Sequence, residues 1–155
     1  MKARMYSIFV LLLILVATAW YINYRGKKSE NPSEIIIKQE KDALDRWNSR
    51  DVWGYLNLFA EDASYFDNTT KKKLQGYKEI KDYIAPFNGQ IYCPKYEMKN
   101  IDVAVERNMA VLSYNLYNFN EQGDTIMIWN SSEAYQKIEG EWKIIHAHWS
   151  VTSKK

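Results

Sequence analysis

His146 and His148 are the only histidines among 155 residues, and they stand two apart in a strand-like stretch. Strand geometry would put both imidazoles on one face, where a pair could serve a metal or move protons. Zinc needs a third and usually a fourth ligand. The single cysteine, Cys93, lies beside Pro94 in a separate segment, with no spacing that recruits it. No metal and no cofactor is therefore expected, and two hydrogen-bonded imidazoles on a sheet face is the simpler reading. Asp67 closes a short apolar run before Asn68. There Asp-Asn is ordinary turn chemistry, although a carboxylate at such a place could also act as a base. Lys71, Lys72 and Lys73 make a basic loop tip, read as a solvated turn. The phosphate-loop, dinucleotide, nucleophile-elbow and zinc-protease motifs are absent.

Aromatic residues are the second resource: 6 Trp, 12 Tyr and 5 Phe. Most should pack the core, since each buries about 150–250 Å². A subset including Trp47, Tyr65, Trp129, Tyr135 and Trp149 could still line a hollow. The charge balance gives no nucleic-acid signal. Residues 1–28 hold five basic residues and no acid, so the remainder carries 16 basic against 19 acidic residues, net −3. Such a globule has no counterion-release drive toward phosphate.

The elements that must position these side chains fall in two blocks. Residues 5–22 are an uncharged run preceded by Lys2 and Arg4. Eighteen residues reach the lower limit for crossing a bilayer, and Ala17-Thr18-Ala19 also offers a signal-cleavage site. Trp20, Tyr21 and Ile22 prolong the apolar run and suit an uncleaved anchor. A single-pass membrane anchor with the domain outside the cytoplasm is expected; the alternative is a secreted or periplasmic product cut near Ala19. Residues 29–155 form the domain.

Asn31-Pro32-Ser33-Glu34 starts a helix, and Ile36, Ile37, Glu40, Ala43, Leu44 and Trp47 make its apolar face up to Asn48. Asp51 caps a second short helix bearing Val52, Tyr55, Leu56 and Phe59. A strand at 63–67 and a polar loop at 68–76 follow. Tyr77, Ile80 and Ile84 mark a third helix, which Pro86 ends. Beyond Pro94 the period becomes two, with strands at 101–106, 109–119, 125–138 and 141–152 and a tight turn at Glu139-Gly140. Three helices before an antiparallel meander make an α+β domain, helices packed on one face of a curved sheet.

Two segments carry a resemblance: residues 129–135 (WNSSEAY) with residues 140–150 (GEWKIIHAHWS), and residues 58–67 followed by Leu74-Gln75-Gly76-Tyr77. Together they resemble the SnoaL-like group of the nuclear transport factor two-like superfamily, over about residues 33–152. They are also similar to the association domain of calcium/calmodulin-dependent kinase II. The resemblance implies a cone-shaped domain, a pocket between helices and concave sheet, and a homodimer through the sheet. It implies that positions matching Ala147 and Trp149 face the pocket, so both histidines face away. Three pocket arginines of the kinase domain are matched here by Leu116, Glu133 and Trp149, which disfavours an anionic ligand and suits a flat or cationic one. Isomerases and cyclases of the superfamily use a pocket carboxylate as base, a role open here to Glu133 or Asp67. Glu133 would share the pocket side with Trp129, Ser131 and Tyr135, and Tyr114 would lie on the next strand. The alternative is a Glu133 solvated at the mouth of the cone, in a non-catalytic binding or assembly module.

Overall fold

The computed structural model describes residues 31–152 and, before them, Thr18 alone. The chain divides into two units, Met1–Asn31 and Pro32–Lys155, and every element below belongs to the second. Residues 5–22, expected as an anchor or signal, lie outside the described residues apart from Thr18. Among the described residues no helix is long and apolar enough to cross a membrane.

Helix α1 spans Pro32–Asn48, with Glu34 in its first turn and Arg46 in its last, both suited to the helix dipole. Its buried stripe is Ile36, Glu40, Ala43, Leu44 and Asn48, a spacing of three and four that keeps one face inward. Helix α2, Trp53–Leu56, has only four residues where a turn more was expected. The Leu58 carbonyl accepts from the Ile144 N–H at 2.8 Å, so sheet pairing captures the chain before Phe59. Strand β1 accordingly runs Phe59–Phe66 rather than starting at residue 63. The expected polar loop holds a two-residue strand, β2 at Leu74–Gln75. Helix α3 spans Tyr77–Ile84 and tightens into a 3-10 turn at Ala85–Phe87, which carries Pro86.

The meander follows as β3 (Lys95–Glu106), β4 (Met109–Phe119), β5 (Thr125–Ile138) and β6 (Glu141–Val151). Six strands form one sheet in the order β2-β1-β6-β5-β4-β3. All neighbours are antiparallel except β1 and β6, which run parallel. The expected antiparallel meander is present in β3 to β6, and the parallel β1–β6 pair lies outside it. Strand β3 begins six residues earlier than its alternation suggested. Its register shifts between Lys99 and Asp102, and Asn100 adopts φ 53°. Such a bulge breaks period two and conceals the first half of the strand from a pattern count. Glu139 and Gly140 take φ 51° and 92°, the left-handed pair that a two-residue hairpin turn requires.

One face of the sheet packs against the helices. Leu112, Tyr114, Leu116, Tyr135, Ile144 and Ala147 are buried there with Ile36, Leu44, Val52, Leu56, Ile80 and Ile84 of the helical layer. Gly54 makes the layer possible: a Cβ there would stand 2.8 Å from Arg46 Cβ and 3.0 Å from the Ala43 carbonyl oxygen. Only glycine lets α2 lie this close to α1.

Candidate functional site: an aromatic cavity over a buried acid pair

Between the helices and the sheet lies a cavity of about 380 Å³. Trp47 from α1, Tyr55 from α2, Tyr65 from β1, Leu116 from β4, Trp129 from β5 and Trp149 from β6 all line it. The rings brace one another edge to face: Trp47 on Tyr55 at 5.8 Å, Tyr55 on Trp149 at 6.2 Å, and Trp129 on Trp149 at 6.3 Å between centroids. This arrangement favours ring quadrupoles and keeps the wall open instead of letting it collapse. Five of the eight expected ligand-lining residues, Trp47, Tyr65, Leu116, Trp129 and Trp149, therefore meet at the cavity, and so does Asp67.

The other three, Tyr114, Ser131 and Tyr135, do not line it, and neither does Glu133. They share the inner face, because β4 pairs Tyr114 with Ser131 and Leu112 with Glu133. They are, however, sealed beneath the rings of Tyr55 and Trp149; Tyr114 itself contacts Trp149 at 5.8 Å. Glu133 is not a solvated acid at the mouth, since its exposure is 0%. Its partner is a residue that sequence reasoning left in the helix stripe: Glu40, also 0% exposed.

The hydroxyls of Tyr55 and Tyr114 both donate to Glu40 Oε1. The Tyr135 hydroxyl lies 2.8 Å from Glu40 Oε2 and 3.0 Å from Glu133 Oε2, and Ser131 Oγ donates to Glu133 Oε1 at 3.4 Å. A phenol has a single hydrogen to give, so Tyr135 cannot serve both carboxylates. Two facing carboxyls in a low-dielectric site hold one proton between them. Burial above all, then the Glu40 charge and the hydrogen bond to Glu40, pushes Glu133 well above the ordinary carboxyl range, against the donors Tyr135 and Ser131. The protonated form of Glu133 is thus favoured, while Tyr55 and Tyr114 give their hydrogens to Glu40 and Tyr135 stands between the two carboxyls. Burial, followed by the nearby carboxylate charge, likewise keeps Tyr55, Tyr114 and Tyr135 protonated. The signal that could have revealed Glu40 is an acid at the centre of an otherwise apolar helical face, which must find a buried partner.

Asp67 differs in every respect. Its Oδ1 accepts from the Thr69 N–H at 2.8 Å, the Thr69 hydroxyl at 2.9 Å and the Thr70 N–H at 2.9 Å. Its Oδ2 accepts from Tyr65 at 2.9 Å and Tyr83 at 2.8 Å. Burial works to raise its pKa, but the Thr69 N–H, Tyr83, Thr69 and Tyr65 outweigh it and hold Asp67 below its ordinary value. The turn chemistry expected at Asp-Asn is present, and the carboxylate also faces the cavity with its acceptor sites filled.

His146 and His148 lie on the opposite face of the sheet. His146 Nδ1 is 2.8 Å from Ser64 Oγ, and the Phe66 ring stands 4.5 Å from His148. Burial, then His148 and Lys73, lowers the His146 pKa. A bulge decides this orientation. Tyr135 pairs with Ile144 but Ala134 pairs with His146, so Ile145 is the extra residue and the alternation reverses across it. Ile144 and Ala147 both point inward, at 0% exposure each. Among the described residues no three His, Cys, Asp or Glu side chains come together as a metal site.

A helical layer closing a hollow against a curved mixed sheet is the nuclear transport factor two-like, or cystatin-like, architecture. Residues 41–154 match the SnoaL-like domain, and the chain belongs to that family. A candidate ketosteroid isomerase from Parabacteroides distasonis ATCC 8503 is 31% identical, over 82% of this chain and 94% of its own, with a TM-score of 0.72. A nuclear transport factor two-like protein of unknown function from Pseudomonas putida KT2440 is 18% identical over 79% of this chain and 87% of its own, TM-score 0.69. The hub of calcium/calmodulin-dependent kinase II from S. rosetta is 15% identical over 79% and 98%, TM-score 0.62. The last two share the fold alone. No curated protein matches the chain.

Proposed function

We propose that this is a non-catalytic, homodimeric small-molecule-binding domain, tethered to a membrane through residues 5–22 or exported after cleavage near Ala19. One observation carries the reading: the hollow is walled by aromatic rings, and neither carboxyl near it is free to take a proton from a ligand. Asp67 faces the cavity with both oxygens already accepting. Glu133 does not line the cavity, and its burial favours the protonated form. The sheet face opposite the helices supports the dimer, since Met109 and Val111 stand 38% and 46% exposed. The kinase hub and the association domain of the C. elegans kinase are assembly modules by name. Native mass spectrometry of the full-length protein, taken from the producing cell, should give a dimer with a retained small molecule. An empty monomer would overturn the reading, and a polypeptide starting at Trp20 would overturn the retained anchor.

The Parabacteroides relative supports a second reading, an isomerase, dehydratase or cyclase with Asp67 or Glu133 as base. Turnover of a β,γ-unsaturated ketosteroid that disappears in Asp67→Ala or Glu133→Gln would establish it over the binding module.

A further inference from the structure

Resting on the reading of the cavity as a binding site, the geometry points to its ligand class: a small organic cation, an ammonium group on an apolar body. None of the described residues lining the cavity is Lys, Arg or His, and Asp67 is the single charged one. Arg50, whose guanidinium lies 5.2 Å from the Tyr92 ring centroid, is not a lining residue. A buried carboxyl, Glu40, stands directly behind the wall. Tyr55 lines the hollow with its ring and gives its hydroxyl hydrogen to Glu40, and no basic side chain joins that buried cluster. A phenol that gives its hydrogen to a carboxyl oxygen has a more electron-rich ring, which makes it a better face for a cation.

At the other side of the hollow Tyr65 and Tyr83 give their hydrogens to Asp67 Oδ2. The Tyr83 hydroxyl also meets Thr69 Oγ1 at 2.5 Å, so the Tyr65 oxygen is the one left to turn its lone pairs toward an ammonium group. Inside the same wall, Asn48 is 6% exposed, and its Nδ2 donates to no group. A buried donor without a partner costs free energy unless a ligand acceptor meets it. The cavity thus offers aromatic faces, a negative charge at Asp67 and, at Asn48, an unpartnered neutral donor. An anion would meet repulsion from Asp67, and no lining residue among those described offers it a cation.

The test uses three probes of one shape: benzyltrimethylammonium, its neutral carbon isostere neopentylbenzene, and phenylmethanesulfonate. Each is titrated against the full-length protein in non-ionic detergent, followed by tryptophan fluorescence with a detergent-only blank. The cation should bind about tenfold or more tightly than the neutral isostere, as cation–π and charge attraction together predict. Asp67→Asn should shrink that preference several-fold, read as the ratio of the two affinities within the variant. Neutral or anionic probe binding as tight as the cation overturns the ligand class and leaves the binding-site reading standing. No response to any of the three overturns both.

Discussion

The two carboxyls that share a proton impose opposite tasks on their surroundings. Glu40 accepts from Tyr55 and Tyr114 and shares Tyr135 with Glu133, whose protonated form is favoured by burial and then by Glu40. A carboxyl whose pKa is raised in the fold binds its proton more tightly there than in the unfolded chain. Its contribution to stability is complete below the ordinary value of 4.5 and is lost as pH rises toward the folded pKa. Glu133→Gln keeps the shape and removes the titration. Its melting temperature relative to the unchanged protein should therefore improve steadily from pH 5 to pH 9. A difference that stays flat with pH would show that Glu133 is charged in the fold. Asp67 tilts the other way: its depressed pKa stabilises above the ordinary carboxylate range and ceases to do so in acid.

Short elements with unusual backbones set the geometry that the long ones only frame. Helix α2 is four residues long, too short to form by itself, yet it carries the Tyr55 that separates the cavity from the acid pair. Its seat depends on Gly54 against Ala43 and Arg46. Gly54→Ala should destabilise by about 1–3 kcal/mol through overpacking, measured by denaturant unfolding. It should also push Tyr55 off Glu40, which tyrosine absorbance would register. A variant as stable as the parent would mean that α2 does not sit where its contacts place it. The bulge at Ile145 acts at the same scale, turning both histidines out and Trp149 in.

For the whole molecule, the proposed dimer depends on the open sheet face. Met109 and Val111 on β4 leave apolar side chains exposed there. Val111→Glu should convert the proposed dimer to a monomer in analytical ultracentrifugation while leaving the far-ultraviolet circular dichroism intact. An unchanged dimer would place the contact elsewhere. The same separation of faces keeps assembly and ligand binding apart, because the cavity opens between helices and sheet on the other side.

The amino-acid sequence alone determined the layers: three helical segments with apolar stripes, four long strands of period two, and the turns between them. These follow from local periodicity and from Pro and Gly chemistry, which short windows contain. The resemblance carried by residues 129–135 and 140–150 supplied the family and the orientation of Trp149. Tertiary structure alone decided which carboxyls meet. Glu40 and Glu133 are 93 positions apart, and Tyr55, Tyr114 and Tyr135 reach them from three different elements. The parallel pairing of β1 with β6 and the bulges in β3 and β6 were also hidden, because register is a relation between strands and leaves no mark on either one.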